Sequence, residues 1–215
     1  MAGKGDKLRV LVTAGPTAED IDPVRYITNR STGRMGIAIA EAVRDFGGEA
    51  LLVLGPTEVC QPEGVKTIRV RSAKDMLDAV VQNLVWADSL VMTAAVADYT
   101  PAEPLESKLK KTDGDFFLRL KRTADILREV ANHPDCGYTV GFSLDVGVNV
   151  EEGRRKLASK DLDLIVVNSA ASFGSSAIDA VVIDCTGEAE KLGVVGKDRL
   201  AARLVERIAE AVQNS

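Results

Sequence analysis

Five short runs of almost unbroken apolar residues recur along the chain, at 8–14, 50–54, 89–95, 138–142 and 162–167, with segments of helical period between them. A strand that is apolar at nearly every position must be buried on both faces, which a parallel sheet covered by helices achieves and a half-solvated antiparallel sheet does not. The helical segments, 36–46, 73–84, 124–131, 150–160 and 197–212, are long enough to serve as crossovers. The alternation predicts an α/β fold, a Rossmann-like, doubly wound, mostly parallel sheet that binds ligands where its strands end at their carboxyl side. A further run, 180–185, reads as another strand, antiparallel or at an edge.

At 215 residues the chain suits one domain, expected over 8–215 after an N-terminal tail at 1–7. Its polar start lacks the apolar stretch of a secretory signal and no run is long enough to span a bilayer, so a cytoplasmic location with no membrane partner is expected. A net charge of −5 argues against a general nucleic-acid binder. Cys60, Cys136 and Cys185 are widely spaced and read as free thiols. His133, the only histidine, precedes Pro134 at an expected helix end, and chemistry that needs several histidines is excluded.

Two connections break the rhythm. The stretch 15–31 is too long for a simple strand-to-helix turn, and 100–121 carries prolines and clustered lysines where a plain crossover would run. The first leads into a helix beginning near Gly33. Glycine there allows backbone donors to approach a ligand and a helix N-terminus favours negative charge, so Gly33 and Gly36 make an anion cradle or, alternatively, permit tight helix–sheet packing. The full G-x-G-x-x-G spacing is absent, Leu54 is followed by Gly55 and Pro56 instead of a ribose-binding acid, and no Y-x-x-x-K pair occurs. A nicotinamide oxidoreductase is therefore the runner-up, and a non-catalytic nucleotide-binding module a third reading.

The segment I-D-P-V-R-Y-I-T-N-R-S-T-G-R-M-G, residues 21–36, closely resembles the signature loop of the phosphopantothenoylcysteine synthetases, a ligase domain often fused to a flavin-dependent decarboxylase in bacteria. M-T-A-A-V-A-D-Y, K-L-K-K, A-D-I-L, G-F and R-K-L-A-S-K follow in that family's order, so the resemblance covers 8–212, whether the chain is a stand-alone enzyme or a separated ligase portion. It implies a reaction in which the carboxylate of 4′-phosphopantothenate attacks the α-phosphate of CTP, pyrophosphate leaves, and L-cysteine displaces CMP to form an amide. Mg²⁺ is expected from triphosphate chemistry, the lysine-rich flap 100–121 is expected to be flexible because its prolines, charges and scarce apolar anchors offset little ordering entropy, and a homodimer is expected.

Residue by residue, the resemblance makes Asn29 and Lys108 catalytic. Asn29 would hold the acyl intermediate and its oxyanion, and Lys108 would neutralise the departing pyrophosphate. Gly15, Ser31, Gly33, Gly36, Met92, Thr93, Ala94, Asp98, Lys108, Ala124, Asp125, Ile126, Leu127, Phe142, Lys156 and Lys160 would bind the nucleotide. Asn29, Ala94 and Ala95 would bind the acyl substrate, and no metal ligand is assigned. Each has a plainer role as well: Asn29 a turn residue, Lys108, Lys110 and Lys111 a solvated patch, Phe142 core packing, Asp125 a helix cap, Lys156 and Lys160 a wet helical face. The family often has arginine where Ala18 stands, glutamate where Asp145 stands and an acid near Ser176, and this sequence departs from the pattern at those positions.

Overall fold

The computed structural model describes residues 7–111, 113–169 and 174–214; residues 1–6 of the N-terminal tail and Phe173 of the loop before Ser176 lie outside the described residues. The chain runs through β1 (Arg9–Ala14), a small hairpin of β2 (Ala18–Asp20) and β3 (Tyr26–Thr28), α1 (Arg34–Asp45), β4 (Glu49–Leu54), β5 (Lys66–Arg69) and α2 (Ala73–Asn83). Next come β6 (Ser89–Met92), β7 (Tyr99–Pro101), β8 (Leu120–Arg122), α3 (Ile126–Ala131), β9 (Tyr138–Asp145) and α4 (Val150–Ser159). Then follow β10 (Leu164–Ser169), β11 (Ala177–Asp184), β12 (Ala189–Gly196) and α5 (Lys197–Gln213).

Among the described residues, eight strands form one sheet in the order β12-β11-β10-β9-β6-β1-β4-β5. The six from β10 to β5 are parallel, while β11 and β12 continue the sheet antiparallel. Numbered along the chain, the parallel strands lie 3-2-1-4-5-6, the doubly wound order, so the direction of winding reverses between β1 and β6. The Rossmann-like expectation holds, and the strand expected at 180–185 is the antiparallel β11, begun three residues earlier.

Side chains alternate across the strands and both faces are covered. Val10, Val12 and Ala14 pack with Ile39, Val43, Leu204 and Ile208 of α1 and α5. Leu11 meets Met76, Val80, Ile126 and Val130 of α2 and α3, and farther along the same face Leu157 of α4 packs on Ile165 and Val167. Burial on both sides is why these strands read as continuous apolar runs. The half-exposed β5 and β12, at the two sheet edges, had no such run and were not expected. Helix α3 starts at Ile126, two residues later than expected, because Asp125 is its cap and accepts from the Arg128 N–H at 3.3 Å.

Both irregular connections acquire anchors. The β2–β3 hairpin docks beside α2: the Ala18 N–H donates to Arg71 O, buried Glu19 accepts from the Ala73 N–H, and Arg71 pairs with Asp20 and lies over the Tyr26 ring. Ala18 itself is buried, leaving its side chain no route to solvent in this arrangement. The second connection leaves on a two-stranded stem, β7 against β8, and the Leu105 N–H reaches back to Ile21 O at 2.8 Å. No described helix is long and apolar enough to cross a membrane. The three thiols are free, Cys60 and Cys185 exposed and Cys136 half-buried.

Candidate active site at the sheet switch point

Where β1 and β6 end, their chains stay joined by side chains after the regular ladder stops. Thr93 donates to Thr13 O from both its N–H (3.3 Å) and its hydroxyl (2.6 Å), and the Ala94 N–H donates to Thr13 Oγ1 at 3.3 Å. The Ala95 N–H then donates to Gly15 O at 2.9 Å. The strand expected to run to residue 95 therefore ends at Met92 because threonine hydroxyls and a lone Pro16–Ala95 bridge replace regular pairing. Met92 is buried, its sulfur facing the Thr13 hydroxyl.

Asn29 ties the signature loop to this edge. Its side-chain amide donates to Ala95 O at 3.0 Å and Val96 O at 3.1 Å, while Thr28 donates to Thr17 O at 2.7 Å. The amide hydrogens are thus spent on backbone carbonyls, not aimed at an empty oxyanion position as the resemblance implies. Gly33 then caps α1 in the left-handed region, φ 75°, its N–H donating to Ser31 Oγ.

Gly36 is where α1 presses on the sheet: a Cβ would lie 2.4 Å from Thr93 Oγ1 and 2.5 Å from the Ala14 Cβ. The packing role proposed for it from sequence is therefore physical, and it coexists with a place on the cavity wall. Gly36→Ala is expected to destabilise the fold by about 1–3 kcal/mol through overpacking. A urea midpoint within error of the parent's would contradict that.

A cavity of about 140 Å³ opens at this point. Of the sequence candidates, Ser31, Gly33, Gly36, Thr93, Ala94, Ala95 and Phe142 line it, with Gly15 directly beneath Gly33. Arg34, Asn168 and Lys197 line it too and were not singled out from sequence. The signals were slight: Asn168 follows an apolar run, and Lys197 opens an expected helix. Burial, then the charge of Arg34, pushes the Lys197 ammonium below its ordinary value. Two cations and two helix N-termini, those of α1 and α5, make this wall suited to an anion.

The remaining candidates fall elsewhere. Successive residues of β9 point to opposite faces, so Phe142 packs with the α1 and α5 core while Ser143, beneath α4, accepts from Lys156 Nζ at 3.1 Å. Lys160 pairs with Asp125 on that second face. Ile126 is buried in the core, Leu127 is half-buried against it, and Ala124 and Asp98 are exposed, with Asp98 O accepting from the Thr123 N–H. Lys108 does not line the cavity; with Lys110, Lys111 and Arg25 it lines a separate groove. At the positions that depart from the family pattern, Asp145 accepts from the Val146 N–H, and Ser176 O accepts from the Lys197 N–H.

A doubly wound sheet with an anion-favouring cavity at its switch point defines a nucleotide- or phosphate-binding α/β protein. It departs from dinucleotide enzymes at the end of β4, where Pro16 O occupies the space beside Gly55, 1.8 Å from where a Cβ would stand. Residues 5–212 match the family described as DNA/pantothenate metabolism flavoprotein C-terminal domain, and the chain belongs to it.

Among relatives, the coenzyme A biosynthesis bifunctional protein CoaBC of Bacillus subtilis (strain 168) is 40% identical over 205 residues, covering 93% of this chain and 50% of that protein. The chain thus spans about half the length of the curated relatives it matches. The crystal structure of the C-terminal domain of a CoaBC is 35% identical with TM-score 0.82, covering 98% of this chain and 100% of that one. A DNA/pantothenate metabolism flavoprotein from Streptococcus pneumoniae is 26% identical with TM-score 0.83, covering 95% and 99%. The family read from the sequence is borne out.

Proposed function

We propose that the chain joins 4′-phosphopantothenate to L-cysteine, activating the carboxylate as an acyl-cytidylate with release of pyrophosphate and then CMP. The observation that carries this reading is the Asn29 amide fastened to the carbonyls of Ala95 and Val96 beside a cavity walled by Arg34 and Lys197. An activated acyl group needs a fixed polar edge, and its phosphates need cations close by.

In this reading the half-buried Thr93–Ala95 segment walls the acyl chain at the switch point, and Arg34 and Lys197 balance phosphate charge. Phe142 packs on a planar base. Asp125, Lys156 and Lys160 contact the nucleotide from the second face, so the ligand straddles the sheet edge. Among the described residues no group of three or more His, Cys, Asp or Glu side chains is placed to hold a metal, so Mg²⁺ enters as part of the triphosphate substrate, bound by its oxygens and water. Residues 8–215 act as one cytoplasmic ligase domain, paired as a homodimer.

Mixing the protein with 4′-phosphopantothenate and CTP is expected to release pyrophosphate before cysteine is added, with ATP a poor substitute. Nucleotide binding with no pyrophosphate would favour a non-catalytic module, and an absorbance change with a nicotinamide cofactor would favour an oxidoreductase. The segment 100–121, anchored at Leu105 and Leu109, would close over bound nucleotide through the residues between Leu109 and β8. Amide exchange in that segment is expected to slow on adding CTP, and equal rates with and without CTP would remove the closing motion.

A further inference from the structure

The lysine-bearing segment is held in place by a carboxylate to which the ligase reading gives no task. Asp22 lies in the turn joining β2 to β3 and is 2% exposed. Its Oδ1 accepts from the Val24 and Arg25 N–H groups, both at 2.8 Å, which closes the turn. Its Oδ2 accepts from the Leu109 N–H at 3.0 Å, a contact across 87 residues, and lies 3.2 Å from Arg25 Nη2. The same guanidinium nitrogen donates to Leu109 O at 2.6 Å.

Both backbone groups of Leu109 are therefore taken by one ion pair, and Lys108 and Lys110 are its chain neighbours. A turn of this kind needs a single side-chain acceptor, which asparagine supplies as well as aspartate. The second oxygen serves only Arg25 and Leu109, so the turn alone does not account for a carboxylate here. Burial works against its ionisation, but the Leu109, Val24 and Arg25 N–H groups and the Arg25 charge hold its carboxyl below the usual range. At neutral pH it is a carboxylate.

We propose that Asp22 is a positioning residue for Lys108: it fixes the backbone at Leu109 so that the adjoining ammonium is presented to the phosphates of the nucleotide, without touching ligand itself. Lys108, Lys110, Lys111 and Arg25 share one groove, so fixing the backbone at Leu109 sets where the two adjoining lysine side chains leave the chain. One docked carboxylate both offsets Arg25 and fixes the register of the lysines. The task of Lys108 rests on the ligase reading; the latch itself does not.

Asp22→Asn tests this cleanly, because Oδ1 can still close the turn while the amide turns a donor toward the Leu109 N–H. Exchange of the Leu109 amide is expected to quicken about tenfold or more. In the same variant kcat for pyrophosphate release should fall about tenfold with KM for 4′-phosphopantothenate within about twofold, as for misplacement of a catalytic group. In a Lys108→Gln background the Asp22→Asn change should cost less than about twofold, since the residue it positions is already gone.

Equal losses in both backgrounds, or unchanged exchange at Leu109, would overturn the inference. Normal pyrophosphate release by Lys108→Gln alone would sink the assignment of Lys108, and with it the purpose of the latch, while the exchange result still reports the latch. If Asp22→Asn does not fold, Leu109→Pro removes the donor from the other side. A proline variant with the parent's kcat would overturn the proposal equally.

Discussion

Asn29→Asp is expected to let the acyl-cytidylate form but slow its conversion by cysteine about 10²-fold, the size of effect that misplacing a reacting group produces. The structure gives two reasons for the loss. The amide nitrogen that donates to Ala95 O and Val96 O becomes a carboxylate oxygen facing two carbonyl oxygens, so the signature loop loses its fastening to the end of β6. The new charge also lies against Ala95, which lines a cavity suited to an anion, and in the proposed reaction it repels the intermediate.

Asn29 is exposed and the hairpin before it keeps its own contacts to Arg71 and Ala73, so global unfolding is a poor explanation for lost activity. Single turnover with the acyl nucleotide trapped and weighed by mass spectrometry would separate the half-reactions. A folded variant that forms amide at the parent rate would show that the amide at Asn29 has no part in the second step.

Lys108→Gln is expected to lower pyrophosphate release about 10²-fold or more while moving stability by less than about 0.5 kcal/mol. Lys108 is exposed, so its removal empties no core volume, and the Leu109 contacts that fix the segment are made by backbone groups the substitution leaves in place. In the proposed reaction, only the charge offered to the phosphates goes. Raised salt should shrink the difference between variant and parent, because an exposed lysine acts through a screened field. Thermal unfolding beside a pyrophosphate time course checks both halves, and a large fall in melting temperature would move Lys108 from chemistry to structure.

The doubly wound sheet was written in local order. Unbroken apolar runs such as 8–14 and 162–167 can be satisfied only by burial on both faces, and the helices between them leave parallel pairing as the outcome. The loop 21–36 and the elements after it named the family because residue type and order are read directly along the chain, although K-L-K-K, A-D-I-L and R-K-L-A-S-K lie away from the cavity wall. Edges were not legible, because β5 and β12 bury little and so carry no run to read. Where Asn29 spends its hydrogens, which face of β9 carries Phe142 and which Ser143, and that Arg34, Asn168 and Lys197 share a wall with Ser31 depended on packing. So did the joining of Asp22 to Leu109. Such contacts bring together atoms far apart in the chain, and no local propensity encodes them; only the closure of the sheet, with α1 and α5 packed on one face and α4 on the other, sets them within reach.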